Sequence, residues 1–121
     1  MFNYKNAFSR NIGWLTQQEQ ELLKFKKVAI AGAGGVGSEY IVTLARLGLG
    51  NFAISDFDEY EVHNFNRQAG AFMSTVGHPK CAAMAKVCKD INPEAGIVEF
   101  PEGINETNVD AFLEDVDIYV D

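Results

Sequence analysis

Residues 27–37 read KVAIAGAGGVG. An apolar run of strand length ends on glycines. After it, apolar residues recur at helical spacing (Ile41, Leu44, Ala45) until Gly48 and Gly50 stop them. Strand, tight turn and helix in direct succession leave few folds open. Glycines let the backbone reverse sharply and come close to a ligand. The helix that opens behind them presents free N–H groups and the positive end of its dipole. Gly32, Gly34 and Gly37 stand in GxGxxG register, with Gly35 in addition. A phosphate suits such a turn, but glycine turns also serve packing, so the motif alone does not fix a function.

The rest of the chain repeats the strand–helix rhythm. Thr16-Gln17-Gln18-Glu19 is a capping-box pattern that predicts a helix to about Phe25. NFAIS, at 51–55, is the second strand, and a polar loop follows to about residue 76. Pro79 suits the first turn of a helix that runs to about Ile91, where Asn92-Pro93 ends it. GIVEF is a third strand, Thr107 to Glu114 a short helix, and DIYVD a fourth strand. Alternation of this kind predicts an α/β fold: a Rossmann-like parallel sheet with crossover helices. Residues 1–26 are read as an N-terminal arm and helix, and 27–121 as a nucleotide-binding half. The chain ends at Asp121, at the tip of a strand expected to be central in the sheet. The expectation is therefore a domain cut after its fourth strand, the N-terminal part of a longer protein.

Composition sets outer limits. The 121 residues are 47% hydrophobic and 22% charged, with a formal charge of -7. That balance argues against a nucleic-acid backbone or an anionic membrane as the main partner, and leaves room for a local phosphate pocket. No apolar run reaches the ~18 residues of a membrane span. The N-terminus lacks the apolar core of a secretory signal, so the expected compartment is the cytosol. Cys81 and Cys88 fall on one helical stripe with Met84 and Ala85 and are read as buried core thiols, with metal or redox roles as the alternative.

Asp56 ends the second strand, 19 residues past Gly37, where an acid takes ribose hydroxyls. Up to this point NAD fits as well as ATP. Two cations separate them, because a triphosphate needs positive side chains that a dinucleotide does not. Lys80 follows Pro79 in the first helical turn, at the end of the dipole that disfavours a cation. Its plain alternative is a solvated surface lysine. Arg67 sits between Asn66 and Gln68 and could grip phosphate oxygens bidentately. Its plain alternative is a salt bridge to Asp56, Asp58, Glu59 or Glu61.

Taken in order, GAGGVG, DFD, NFNRQ and GHPK resemble the MoeB/ThiF/HesA family, bacterial relatives of ubiquitin-activating enzymes. The resemblance extends from FSRNI, ahead of the first predicted helix, to INP after the third. It implies ATP-dependent adenylation of a carboxylate with release of pyrophosphate. The acyl substrate would be the C-terminus of a ubiquitin-like sulfur carrier, or a peptide, or a small acid. Gly32, Gly34, Gly35 and Gly37 would admit ATP, and Asp56 would hold the ribose. Asn64, Arg67 and Lys80 would meet the phosphates, with Gln68 bracing the loop and Asp58 supporting the site or its Mg2+. Arg10 would reach into a neighbouring subunit's site, which implies a homodimer. His63 and His78 carry no role, and no residue of this stretch is assigned as a metal ligand. In the family a metal-binding aspartate follows the fourth strand in a D-x-x-D-N pattern. Asp121 matches only its first position.

Two rivals stay open at the level of sequence. An NAD(P)-binding half of an oxidoreductase explains the glycines and Asp56 but leaves Arg67 and Lys80 idle. A non-catalytic scaffold would use an ATP-binding fold for dimerisation or sensing.

Overall fold

The computed structural model describes residues 1–121. Four parallel strands, β1 (Lys27–Ala31), β2 (Asn51–Ser55), β3 (Gly96–Phe100) and β4 (Ile118–Val120), form one sheet in the order β3-β2-β1-β4. The five helices are α1 (Tyr4–Ala7), α2 (Gln17–Leu23), α3 (Gly35–Leu47), α4 (Lys80–Ile91) and α5 (Val109–Phe112). The expected Rossmann-like architecture is present. The order reverses at β1, from which the chain moves first to β2 and β3 and then back to β4. In such sheets ligands bind at the carboxyl ends of the strands, near that reversal.

Strand periodicity divides the core. Val28, Ile30, Phe52 and Ile54 face one side and pack with Ile41 and Ala45 of α3 and Cys81, Met84 and Cys88 of α4. The intervening Ala29 and Ala53 face the other side and meet Phe112 of α5. Cys81, Met84, Ala85 and Cys88 are all buried, as the stripe required. Burial pushes the thiol of Cys81 up to about 11 and that of Cys88 to about 12, so both stay protonated near neutrality.

The capping box of α2 forms as expected: Thr16 Oγ1 accepts from the Glu19 N–H, and Glu19 Oε1 accepts from the Thr16 N–H. Two elements differ from the sequence reading. The helix expected over Thr107–Glu114 is only Val109–Phe112. Ahead of it, Asn105 Oδ1 accepts from the N–H groups of Thr107 and Asn108, and Asn108 Oδ1 accepts from Asn105, a side-chain turn that competes with helix. The N-terminal arm carries elements that the sequence reading did not place: α1 is capped by Asn3 and followed by a 3-10 turn at Ser9–Asn11. β4 pairs with β1 alone, and Ile118 and Tyr119 are exposed. The strand expected at the centre of a sheet is an edge of this one. No helix is long and apolar enough to cross a membrane.

Candidate functional site

The glycine turn is held from three sides. Gly32 (φ 97°) donates its N–H to the Ser55 carbonyl, and a Cβ on Gly37 would run into the Gly32 carbonyl. Glycine is required at both positions, one for its left-handed backbone and one for close approach. Asp56 closes the second side. Its Oδ2 accepts from the Ala33 N–H at 2.8 Å and its Oδ1 from the Asp58 N–H at 2.8 Å. The carboxylate expected to take ribose hydroxyls thus also latches the turn after β1 to the end of β2. Each oxygen keeps a lone pair for a further donor. Gly34 caps α3 with no side chain, so no side-chain acceptor covers the N–H groups of its first turn.

The third side is the loop after β2. Ser38, in the first turn of α3, donates to the Gly34 carbonyl and accepts from the Ala69 N–H at 3.2 Å. This docks the segment from Asn64 to Ala69 onto the helix N-terminus. Asn64 is buried, its Oδ1 accepts from the Glu61 N–H and its Nδ2 contacts His63 Nδ1. Its amide is spent on shaping the loop. Gln68 is also buried; its Nε2 lies beside Gly34 and its Oε1 has no partner. Of the two amides, the one expected only to brace the loop carries the free acceptor.

Arg67 lays its stem over Gly35, with Cγ 3.5 Å from where a Cβ there would stand. Its Nη1 donates to the His63 carbonyl and to Asn66 Oδ1. It forms none of the salt bridges that were its plain alternative. Lys80 corrects its own alternative too. Only 6% exposed, it is no solvated surface lysine, and it has no carboxylate oxygen within 4.0 Å. The Lys80 N–H donates to the Asp58 carbonyl, and Cys81 Sγ reaches the Asp56 carbonyl at 3.4 Å. The start of α4 is therefore pinned to Asp56–Asp58. Asp58 acts here through its backbone, and its side chain is exposed.

Gly32, Gly34, Gly35, Gly37, Asp56, Asn64, Arg67, Gln68 and Lys80 thus surround the carboxyl ends of β1 and β2. Arg10 does not join them. It is exposed in the 3-10 turn next to Asn11, whose Nδ2 donates to the Leu47 carbonyl. That is the far end of α3, a helix of 13 residues and so roughly 20 Å long. His63 Nε2 lies 2.7 Å from a Glu61 carboxylate oxygen, so the ring is engaged within the loop on both sides. No cluster of three His, Cys, Asp or Glu side chains is placed to hold a metal. Sequence reasoning missed Ser38 and Tyr60. Ser38 had a signal, a hydroxyl directly after the last glycine. Tyr60, buried beneath Lys80, had none beyond being an aromatic in an acidic loop.

Chemically this is an anion cradle. It joins an uncapped helix N-terminus, two cations without carboxylate partners and one latched carboxylate. Known proteins are similar to the chain in sequence and fold. A tRNA threonylcarbamoyladenosine dehydratase of Bacillus subtilis is 38% identical over 109 residues, covering 90% of this chain and 43% of that protein. An Arabidopsis thaliana adenylyltransferase and sulfurtransferase, MOCS3, is 36% identical over 103 residues, 85% of this chain and 22% of its own length. Among solved structures, the E. coli dehydratase TcdA in complex with ATP superposes with a TM-score of 0.85 at 29% identity, over 91% of this chain and 45% of that one. E. coli MccB with ATP covers all of this chain and 39% of its own, with a TM-score of 0.75 at 30% identity. The chain spans less than half the length of these relatives. The ThiF family matches residues 8–121, nearly the whole sequence, and the chain belongs to that family.

Proposed function

We propose that the cradle binds ATP and that the whole protein adenylates a carboxylate, releasing pyrophosphate. The observation that carries the reading is Lys80: an ammonium buried at a helix N-terminus with no acid to pair with is stabilised by a bound polyanion. ATP supplies the α-phosphorus that the carboxylate attacks. The chain's part is positioning and charge neutralisation. Arg67 and Lys80 offset phosphate charge, and Asp56 accepts from ribose hydroxyls while keeping the turn latched. Asn64 holds the shape of the loop, and Gln68 offers its free oxygen to a donor. Mg2+ usually keeps several waters and binds one or two carboxylates besides phosphates. Asp56 and Asp58 are the acids at hand. Arg10 would serve only a neighbouring subunit's site, which makes the active unit a homodimer.

The presence among the relatives of MOCS3, an adenylyltransferase and sulfurtransferase, supports the C-terminus of a sulfur-carrier protein as acyl substrate. A peptide is the second candidate substrate; MccB, which resembles this chain, is solved with ATP and with MccA-N7isoASN. Calorimetric titration of the chain with Mg-ATP and with NAD tests the first half of the proposal. The expected result is ATP binding that weakens about tenfold in Arg67→Ala or Lys80→Ala and no comparable NAD binding. NAD binding without ATP binding would overturn it. Pyrophosphate exchange by the whole protein, driven by carrier or peptide C-termini, tests the second half.

A further inference from the structure

Lys80 does not hold its position alone. Its Nζ lies 5.7 Å from the centroid of the Tyr60 ring. That is inside the range at which an ammonium is attracted to an aromatic face. The ring is 1% exposed, and its hydroxyl is buried without a hydrogen-bond partner. Burial, followed by the nearby charge of Asp56, raises the phenol to about 12, so the ring is neutral. A buried tyrosine normally finds a partner for its hydroxyl. Here the ring, not the hydroxyl, makes the polar contact.

Ring and ammonium are tied to one another through the backbone. The Tyr60 N–H donates to the His78 carbonyl, and the Gly77 N–H donates to the Tyr60 carbonyl. Glu59 bridges Pro79, and the Lys80 N–H donates to Asp58. Residues 58–60 and 76–80 therefore form one clamp. The hydroxyl end of the ring lies against Gly70: a Cβ there would strike the Tyr60 hydroxyl, with Met84 Sδ also close to that point.

We infer that Tyr60 is the positioning residue for Lys80, holding the unpaired ammonium by its ring face at the start of α4, ready for an anion. The inference rests on the ATP reading for the identity of that anion. It assigns Tyr60 no contact with the ligand. Its action runs through Lys80.

The test has two arms on the same chain. In the first, ATP affinity is measured for Tyr60→Leu and Tyr60→Phe, alone and in a Lys80→Met background. Tyr60→Leu is expected to weaken ATP about fivefold, the equivalent of a cation–π contact. Tyr60→Phe restores binding, because the hydroxyl has no partner to lose. In the Lys80→Met background Tyr60→Leu changes nothing further, since the cycle closes only if Tyr60 acts through Lys80. Equal loss with and without Lys80 would reduce Tyr60 to a packing residue and overturn the inference. So would loss in Tyr60→Phe.

The second arm needs no nucleotide. The ε-methylene protons of Lys80 are expected upfield of an ordinary lysine in wild type and Tyr60→Phe, and back at the ordinary position in Tyr60→Leu. Ordinary shifts in the wild type would overturn the ring contact itself. Failure of the wild type to bind ATP with the upfield shift intact would instead sink the ATP reading.

Discussion

The two ends of α3 are built on opposite terms. At the C-terminal end every polar group contributed by the N-terminal arm is paired. Tyr4 Oη donates to the Gly48 carbonyl at 2.6 Å, with the Gln20 carbonyl also within reach at 3.0 Å, and accepts from Gln20 Nε2 at 3.0 Å. Gln20 Nε2 also reaches the Leu47 carbonyl, which takes Asn11 Nδ2 as well, and Asn11 in turn meets Gln20 Oε1. The last carbonyls of the helix are thereby satisfied by side chains. At the N-terminal end the opposite holds. Gly34 offers no side-chain cap, Gln68 Oε1 and Tyr60 Oη are buried without partners, and Lys80 has no carboxylate. Buried polar groups that a fold leaves unpaired are costly. A closed network at one end and open groups at the other set a docking joint apart from a candidate ligand site within one helix.

The largest effect is expected where the open end meets its own backbone. Gly37→Ala places a methyl group against the Gly32 carbonyl. Neither the strand end nor the helix can yield without unlatching Asp56 from Ala33. Such overpacking costs about 3 kcal/mol. A urea melt should show the midpoint falling with little change in slope. A variant as stable as wild type would mean that the turn is looser than its contacts imply.

The joint should break next. Tyr4→Phe removes a hydroxyl that serves Gly48 and Gln20, and leaves their buried groups without it. The expected loss is about 2 kcal/mol, with ATP affinity unchanged because the joint lies at the other end of α3. A fall in ATP affinity at unchanged stability would contradict the division of the helix into two ends. A smaller effect belongs to the approach to that joint. Thr16→Ala deletes half of the capping box that starts α2 and should cost about 1 kcal/mol, read in the same melts.

What the sequence disclosed follows the same division. Periodicity located β2 at Asn51–Ser55 and the stripe of α4, because burial on one face leaves a regular trace. The glycines, Asp56, Arg67 and Lys80 were legible because each is an unusual residue for its local position. Their division of labour was not. That Asn64 is spent on the loop while Gln68 Oε1 stands free depends on how residues 61–69 fold back on Ser38, a tertiary fact. Tyr60 was hidden for the same reason, and so was the shortening of α5 by Asn105. The order of the arm came from the far side of the sequence: Tyr4 is 44 residues from Gly48.

The smallest stability effect is the most telling, because its sign should invert. At the joint, deleting a polar group destabilises. At the open end, Lys80→Met removes a charge that the folded chain buries beside a positive helix terminus, and keeps the stem that packs there. The lost ring contact with Tyr60 offsets part of the gain. The expected balance is a stabilisation of roughly 0.5 kcal/mol in the absence of nucleotide. Adding ATP at about a hundred times its dissociation constant should raise wild-type stability by ~2.7 kcal/mol through linkage alone. At that same concentration Lys80→Met should gain distinctly less, so the order of the two midpoints reverses when nucleotide is added. If Lys80→Met instead loses about as much stability as Tyr4→Phe without nucleotide, then Lys80 is a satisfied structural group, and the two ends of α3 do not differ as their contacts indicate.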